Sequence, residues 1–488
     1  MQFISFEFVL FLPIVFVLYW LVFNRINARW SNIFLIIANY VFYGWWNWKL
    51  CFLLLGVTAV TYGAGYVMQY LRERYPECEN RKKLNNPVWW VNFVTIVLCI
   101  GTLGLFKYCD FFIESFVGTL SLVGIEVSMS SLGLVLPLGI SFYIFQSLTY
   151  SIDIYQRKLQ PTKDVVAYFA FMSFFPQLLS GPIGRASRLI PQYEQKRTFQ
   201  YELAISGCWQ ILWGLFMKVC VADRLSVYVD AVYGNLALHN GTSVALAAIL
   251  YSVQIYCDFA GYSLMAIGVG RLFGIRLDEN FRQPYFATSI GDFWRRWHIS
   301  LSSWFRDYVY IPLGGNRVGE CRSYFNLFVT FLVSGLWHGA AWSFVLWGAL
   351  HGVYQILEKA RKKYIPQFNV GQKIKDATGV VVTFVLVTIA WIFFRLTDVS
   401  MAFEAVGKIF TSFGAVPYTD LTTLVYGCAS LALLVVVEIL MERNIIEKVA
   451  THRHIGYVVC RYAVAILLAL WIIGLGVFGG GQFIYFQF

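Results

Sequence analysis

Apolar stretches long enough to cross a bilayer recur from one end of the chain to the other, separated by short polar connections. A spanning helix needs roughly 20 predominantly apolar residues, and by that measure the pattern predicts about ten to twelve crossings. No hydrophilic block is long enough to form a separate soluble domain. The expected fold is therefore an all-α polytopic membrane protein, one membrane domain over residues 1–488. The pattern loses its regularity between Pro176 and Gly352. Pro176, Gly181, Pro182, Gly184 and Pro191 interrupt one apolar segment, and Pro284, Pro312, Gly314 and Gly315 break another. Non-helical backbone at membrane depth survives only where protein or a water-filled cavity satisfies its polar groups. Re-entrant or tilted segments around an internal cavity are expected there, rather than a plain bundle.

Composition agrees: 58% of residues are hydrophobic, 18% aromatic and only 13% charged, about half the charged share of a soluble domain. The formal charge of +11 is spread over short loops and never gathers into a tail, so positive-inside asymmetry explains it and nucleic acid does not. Lys and Arg in short loops mark the cytoplasmic side. Arg25 and Arg29, the cluster from Arg72 to Lys83, the run Lys359 to Lys375, and Arg443 to Arg453 fall inside on this count. The connection 397–420, with Asp398, Glu404 and Asp420 against Lys408, falls outside. Both termini are then extracytoplasmic. The first stretch, Met1 to Phe23, lacks basic residues before its apolar run and a small-residue cleavage site, so it reads as a retained helix. The ten cysteines show neither Cys-x-x-Cys pairing nor zinc-like spacing, and no metal site is expected.

Of six histidines, two stand out by context. His338 lies in Leu332-Val333-Ser334-Gly335-Leu336-Trp337-His338-Gly339-Ala340-Ala341-Trp342, with no other ionisable group near it. An ionisable residue inside a membrane segment is a functional candidate; the plain alternative is a core histidine hydrogen-bonded across helices. Gly335, Gly339 and Ala341 would admit a close helix or a thin substrate chain. His298 lies in a basic, tryptophan-rich segment from Gly291 to Asp307. That composition also fits a helix lying in the membrane interface, while its guanidinium groups would suit a phosphate-bearing donor. His351, 13 residues after His338, falls about 220 degrees around an ideal helix and is expected to face elsewhere. His239, His452 and His454 lie in polar connections. Asp153 and Asp258 sit in apolar segments and are expected to fix a positive neighbour.

These motifs carry a resemblance. Trp294-Arg295-Arg296-Trp297-His298 and Tyr310-Ile311-Pro312-Leu313-Gly314-Gly315-Asn316-Arg317, followed 40 residues after His298 by Gly335-Leu336-Trp337-His338-Gly339, resemble the core of the membrane-bound O-acyltransferase family. The branch most similar contains alginate O-acetyltransferase subunits, peptidoglycan O-acetyltransferases and the D-alanyl transferase of teichoic acid. Leu136-Pro137-Leu138-Gly139-Ile140-Ser141-Phe142-Tyr143, Phe174-Phe175-Pro176-Gln177 with Ser180-Gly181-Pro182-Ile183, and Trp391-Ile392-Phe393-Phe394-Arg395 add to it. The resemblance implies N-terminal helices over 1–135, a catalytic core over 136–352 around a central tunnel, and C-terminal helices with an aromatic tail over 353–488. It implies a catalytic His338 with His298 as the second signature position, in the inner membrane of a bacterium.

On that basis the chain is expected to move an acyl group, acetyl by preference, from a cytoplasmic thioester to an extracytoplasmic acceptor for O-acetylation of a surface or secreted polysaccharide. No bound cofactor is expected. Acetyl-CoA, or another acyl thioester, would dock its phosphates on Arg295, Arg296 or Arg306 beside Trp294 and meet His338 as general base or transient acyl acceptor. In Gln482-Phe483-Ile484-Tyr485-Phe486-Gln487-Phe488, following three glycines, Tyr485 is expected to carry the acyl group outward to an acetyltransferase or acceptor protein; the alternative is a membrane-interface anchor. The competing classes are a D-alanyl-type transferase, a secondary transporter, and a scaffold of a polysaccharide export complex.

Overall fold

The computed structural model describes residues 1–77, 83–127, 129–179, 181–365, 371–414, 416–446, 448, 455–479 and 483–484. Helices dominate these residues, and eight of them are long and apolar enough to cross a membrane: Phe6–Ile26, Leu50–Arg74, Pro87–Leu122, Tyr201–Gly234, Gly241–Leu272, Gln372–Arg395, Leu421–Glu442 and Gly456–Leu475. The sequence pattern predicts more because it also counts Ala28–Gly44 and Ile140–Tyr155, which are short, and the hairpin Glu320–His338 with Trp342–Tyr364, which is more polar. The chain forms two compact units, Met1–Gln210 with Met265–Asp278, and Ile211–Leu264 with Glu279–Phe488.

In the first unit the helix Ile140–Tyr155 is buried on nearly every side. It starts at Gly139, whose φ of 72° is left-handed and whose missing side chain lets the backbone pass close to Leu178; a Cβ there would lie 2.2 Å from the Leu178 carbonyl oxygen. That is the physical content of the Leu136–Tyr143 motif. The apolar segment containing Pro176 breaks as expected, ending one helix at Ser173 and leaving a short turn Phe175–Leu178. Asn39 repairs the break: its amide donates to Ser173 Oγ at 3.1 Å and accepts from the Phe175 N–H at 3.1 Å. Irregular backbone thus finds its partners inside protein.

In the second unit the polar helix ends sort into two groups. Lys363 and Tyr364 meet Glu320, Glu358 accepts the Gly291 N–H at 3.1 Å, and Arg296 meets Glu442 at 2.9 Å. The opposite ends meet one another: Arg395 pairs with Asp230 at 2.8 Å, Lys408 donates to the Leu236 carbonyl at 2.6 Å, and Asn240 donates to Val416 O at 2.9 Å. This sorting is what helices crossing the same slab in alternation produce.

Candidate active site

Both signature histidines belong to the second unit, and local backbone explains where each points. The segment read as a continuous interfacial helix is broken: Ile290–Arg296 and Ile299–Phe305 are separate helices with His298 between them. His298 has φ 42°, ψ 55°, a left-handed conformation that costs a non-glycine residue about 1–3 kcal/mol and persists only where the surroundings over-determine it. They do. Trp294, Trp297, His298, Leu301, Trp304 and Phe305 are all buried, so the tryptophans anchor into protein and not into a lipid interface.

Asn280 holds the imidazole. Its side-chain oxygen lies 3.0 Å from His298 Nδ1, and it accepts from Ser300 Oγ at 2.9 Å and from the Ser300 backbone N–H at 3.3 Å. A backbone N–H can only donate, which fixes that atom as oxygen; the Asn280 amide nitrogen accordingly donates to Ser263 Oγ at 3.2 Å. Nδ1 of His298 must then carry the proton, leaving the lone pair on Nε2. Complete burial disfavours the imidazolium and pushes the pKa of His298 down to about 3, so the ring is neutral at any physiological pH.

His338 is the last residue of the helix Glu320–His338, and the chain turns back at once into Trp342–Tyr364. The hairpin is packed to backbone contact. A Cβ on Gly335 would lie 2.2 Å from Phe344 O, and one on Gly348 would lie 2.3 Å from Phe331 O. The close approach anticipated around Gly335 is therefore made by the next helix of the same chain. His338 is buried, its ring 4.9 Å from Trp337, 4.8 Å from Trp347 and 5.1 Å from Phe394. Trp337 also lies 6.0 Å from His298, so one indole separates the two histidines. The indole N–H of Trp347 is buried without an acceptor among the described residues, which makes this aromatic cluster hospitable to a polar guest.

The turn at Gly339 also corrects the expectation for His351. With the helix ended at His338 the angular argument fails, and His351 returns to within 4.9 Å of Trp347, where its Nδ1 accepts from Trp294 Nε1 at 3.3 Å. Trp294 is thereby a buried packing residue, not a surface contact. Of the other residues expected to bind the donor, Arg295 is 75% exposed and Arg306 is 63% exposed beside Asp307 at 2.8 Å. Arg296 is 21% exposed and held between Asp292 at 3.0 Å and Glu442 at 2.9 Å. His239 lies against Tyr418, away from these groups, while His452, His454 and Tyr485 lie outside the described residues.

Two positions escaped sequence reasoning. Asn280 carries no signal beyond a polar residue in a polar connection. Lys218 could have been found, since it is an ionisable group in an apolar run five residues before Asp223. It bridges Asp223 and Asp258, at 2.7 Å each, and so supplies the positive neighbour expected for Asp258. Asp258 in turn accepts the backbone N–H of Ile484 at 2.8 Å, and Phe483 packs on Tyr262 at 4.9 Å and on Phe259 at 5.8 Å. Phe259 touches His298 at 4.6 Å. The start of the aromatic tail is thus part of the protein core, one ring away from a signature histidine.

Known proteins supply the remaining observation. Residues 33–398 match the model of MBOAT, the membrane-bound O-acyltransferase family. The probable alginate O-acetylase AlgI of Pseudomonas aeruginosa is 38% identical, over 84% of this chain and 75% of that protein. A peptidoglycan O-acetyltransferase of Helicobacter pylori is 33% identical, over 78% of this chain and 73% of its own. A teichoic acid D-alanyltransferase of Bacillus subtilis is also 33% identical, but over only 46% of this chain and 61% of its own.

Proposed function

Because this chain belongs to the membrane-bound O-acyltransferase family and is a multi-pass membrane O-acyltransferase, we propose that it transfers acetyl groups from cytoplasmic acetyl-CoA to an extracytoplasmic acceptor in the O-acetylation of a polysaccharide. The observation that carries this reading is the pair of buried histidines flanking Trp337, one of them kept neutral by burial and given its lone pair on Nε2 by Asn280. The greater coverage of this chain by the alginate and peptidoglycan relatives than by the D-alanyl relative favours acetyl and a glycan.

His338 takes the proton of the attacking hydroxyl as its oxygen adds to the thioester carbonyl carbon. The tetrahedral intermediate collapses with loss of the C–S bond, and the proton passes to the CoA sulfur. Trp347, whose ring lies 4.8 Å from His338, has an N–H available to the oxyanion within the same aromatic cluster. Arg295 and Arg306, exposed beside the basic helix end that carries Lys359 to Lys363, contact the donor phosphates, whereas Arg296 braces the mouth through Asp292 and Glu442. About 27 Å of helix runs from Glu320 to His338, close to the roughly 30 Å of a hydrocarbon core, so the acyl group is handed over far from the basic rim.

The first acceptor is Tyr485, whose phenol becomes an acyl ester; a sugar hydroxyl then displaces the phenol outside, and Tyr485 regains its proton. A phenol with a pKa near 10 is a better leaving group than a sugar hydroxyl, so much of the thioester's transfer potential is kept. Burial of Phe483 and Ile484 beside Asp258 and Phe259 supports this route over a lipid-interface anchor. Purified protein in vesicles should release free CoA from acetyl-CoA in the presence of acceptor, and His338→Ala should abolish the release; a transporter would take up its substrate and release none. Tyr485→Phe should leave surface glycans unacetylated by mass spectrometry at normal protein abundance. Full glycan acetylation in that variant excludes the relay.

A further inference from the structure

The motif Trp391-Ile392-Phe393-Phe394-Arg395 gives two rings to the histidine cluster, those of Trp391 and Phe394, but its arginine has no part in the chemistry above. Arg395 ends the helix Gln372–Arg395 among the polar helix ends that lie opposite the basic rim. Its guanidinium is 30% exposed and donates through Nη2 to Asp230 at 2.8 Å, and Asp230 is itself 57% exposed. A surface ion pair of this kind contributes little by itself.

Two phenols beneath it set this pair apart. Tyr233 follows Asp230 on the helix Asp223–Gly234, and Tyr251 lies on Gly241–Leu272, which meets the helix of Arg395 where Ser252 Oγ and Thr388 Oγ1 are 3.0 Å apart. Both rings are buried, yet neither hydroxyl has a hydrogen-bond partner among the described residues. The Arg395 charge acts on both hydroxyls, and Tyr251 also feels Asp230 and Tyr233, so the four groups lie within electrostatic reach of one another. A buried hydroxyl left unpaired is destabilising, and two of them under one polar opening call for a guest that supplies the missing partners. The opening adjoins the reaction centre, because Phe394, next to Arg395, holds its ring 5.1 Å from that of His338.

The chemistry of these groups selects the guest. Each phenol can donate or accept, the guanidinium donates and the Asp230 carboxylate accepts, while the ion pair is neutral overall. Such a mixed set matches sugar hydroxyls, which also donate and accept, whereas an anionic guest would face the charge of Asp230. We propose that Asp230, Tyr233, Tyr251 and Arg395 bind the hydroxyl groups of a sugar ring and seat the acceptor glycan beside His338. The seat's place in transfer rests on the acyl-transfer reading above; the binding of sugar does not. The test is saturation-transfer NMR on full-length protein in a detergent without a sugar headgroup, with cellotetraose, maltotetraose and tetragalacturonate as probes. The parent should bind at least one neutral probe, and the double variant Tyr233→Phe with Tyr251→Phe should weaken that binding roughly tenfold or more, since each neutral hydrogen bond lost is worth a few-fold. Its thermal midpoint should hold or rise, because both rings stay and two unpaired hydroxyls go. No binding of a neutral probe by the parent, or equal binding by the double variant, overturns the site and leaves ordered water as the partner of the phenols. Binding of tetragalacturonate alone overturns the assignment to hydroxyls. If the double variant loses the sugar while surface glycans in cells stay fully acetylated, the sugar site stands and the acceptor seat fails. Release of CoA by His338→Ala would instead sink the transfer reading and leave the NMR result untouched.

Discussion

Asn280 decides what His298 can do. With the Asn280 oxygen fixed as acceptor by the Ser300 backbone N–H, the ring offers a lone pair at Nε2 and never a proton at working pH. Two expectations follow from replacing this one residue. Asn280→Ala leaves the Ser300 N–H and the His298 Nδ1–H without their acceptor in a buried site, at a cost of about 1–3 kcal/mol for each group, and transfer should fall by roughly 10–100-fold or more, since loss of a ring's tautomer control is costly. Asn280→Asp keeps the acceptor but adds charge, which favours the imidazolium and raises the His298 pKa from about 3 back toward the ordinary value near 6.5. As pH falls through that raised value the lone pair is lost. The pH–rate profile of purified Asn280→Asp should therefore gain an acid limb that His298 does not give the parent enzyme. A profile superimposable on the parent's would mean that His298 takes no part. At this scale the sequence exposed His338 because an ionisable group in an apolar run is conspicuous and His298 because of its basic, tryptophan-rich setting, but it hid Asn280, which is found only by the fold that brings it to the ring.

The elements that hold the site are held by small residues and by ion pairs of unequal importance. Gly335 and Gly348 let the two helices of the hairpin approach to backbone contact, for a Cβ added at either would run into a carbonyl oxygen of the partner helix. Gly348→Ala must push those helices apart, and overpacking of this kind costs typically about 1–3 kcal/mol. The thermal midpoint in detergent should drop, and transfer should drop with it because His338 ends one of the two helices; an unchanged midpoint would mean that the hairpin is looser than its geometry. Along the segment from Ile290 to Tyr310 the arginines separate by what they touch. Arg295→Gln, at an exposed guanidinium, should raise the donor KM and leave kcat nearly unchanged, because ground and transition states share the phosphate contact. Arg296→Gln, which breaks contacts to Asp292 and Glu442, should lower the thermal midpoint and leave the donor KM alone. Equal KM effects would erase that distinction.

Across the molecule, the sorting of helix ends in the second unit gives the positive-inside argument something to act on. The group containing Glu320, Glu358 and Glu442 shares its side with Lys359, Arg361, Lys362 and Lys363, while the connection bearing Asp398, Glu404 and Asp420 belongs to the opposite group. Single cysteines at Arg361 and at Glu404 should therefore respond oppositely to an impermeant thiol reagent in intact cells, the first protected and the second labelled. The reverse pattern would put the donor arginines outside and refute the transfer direction proposed here.

Hydrophobic runs of membrane length leave an apolar chain few ways to satisfy its backbone, so the all-helical, multi-pass class follows from residue order alone, as does His338 as an isolated ionisable group. Periodicity carries no information about where a helix stops for tertiary reasons. The break at His298, the turn at Gly339 that returns His351 to Trp347, and the burial of Trp294 each depend on contacts between residues far apart in the chain. The same holds for the charges. An aspartate in an apolar run announces that it needs a partner, but only packing at Gly261 brings Lys218 to Asp258, and only the fold sets the Ile484 N–H against its second oxygen.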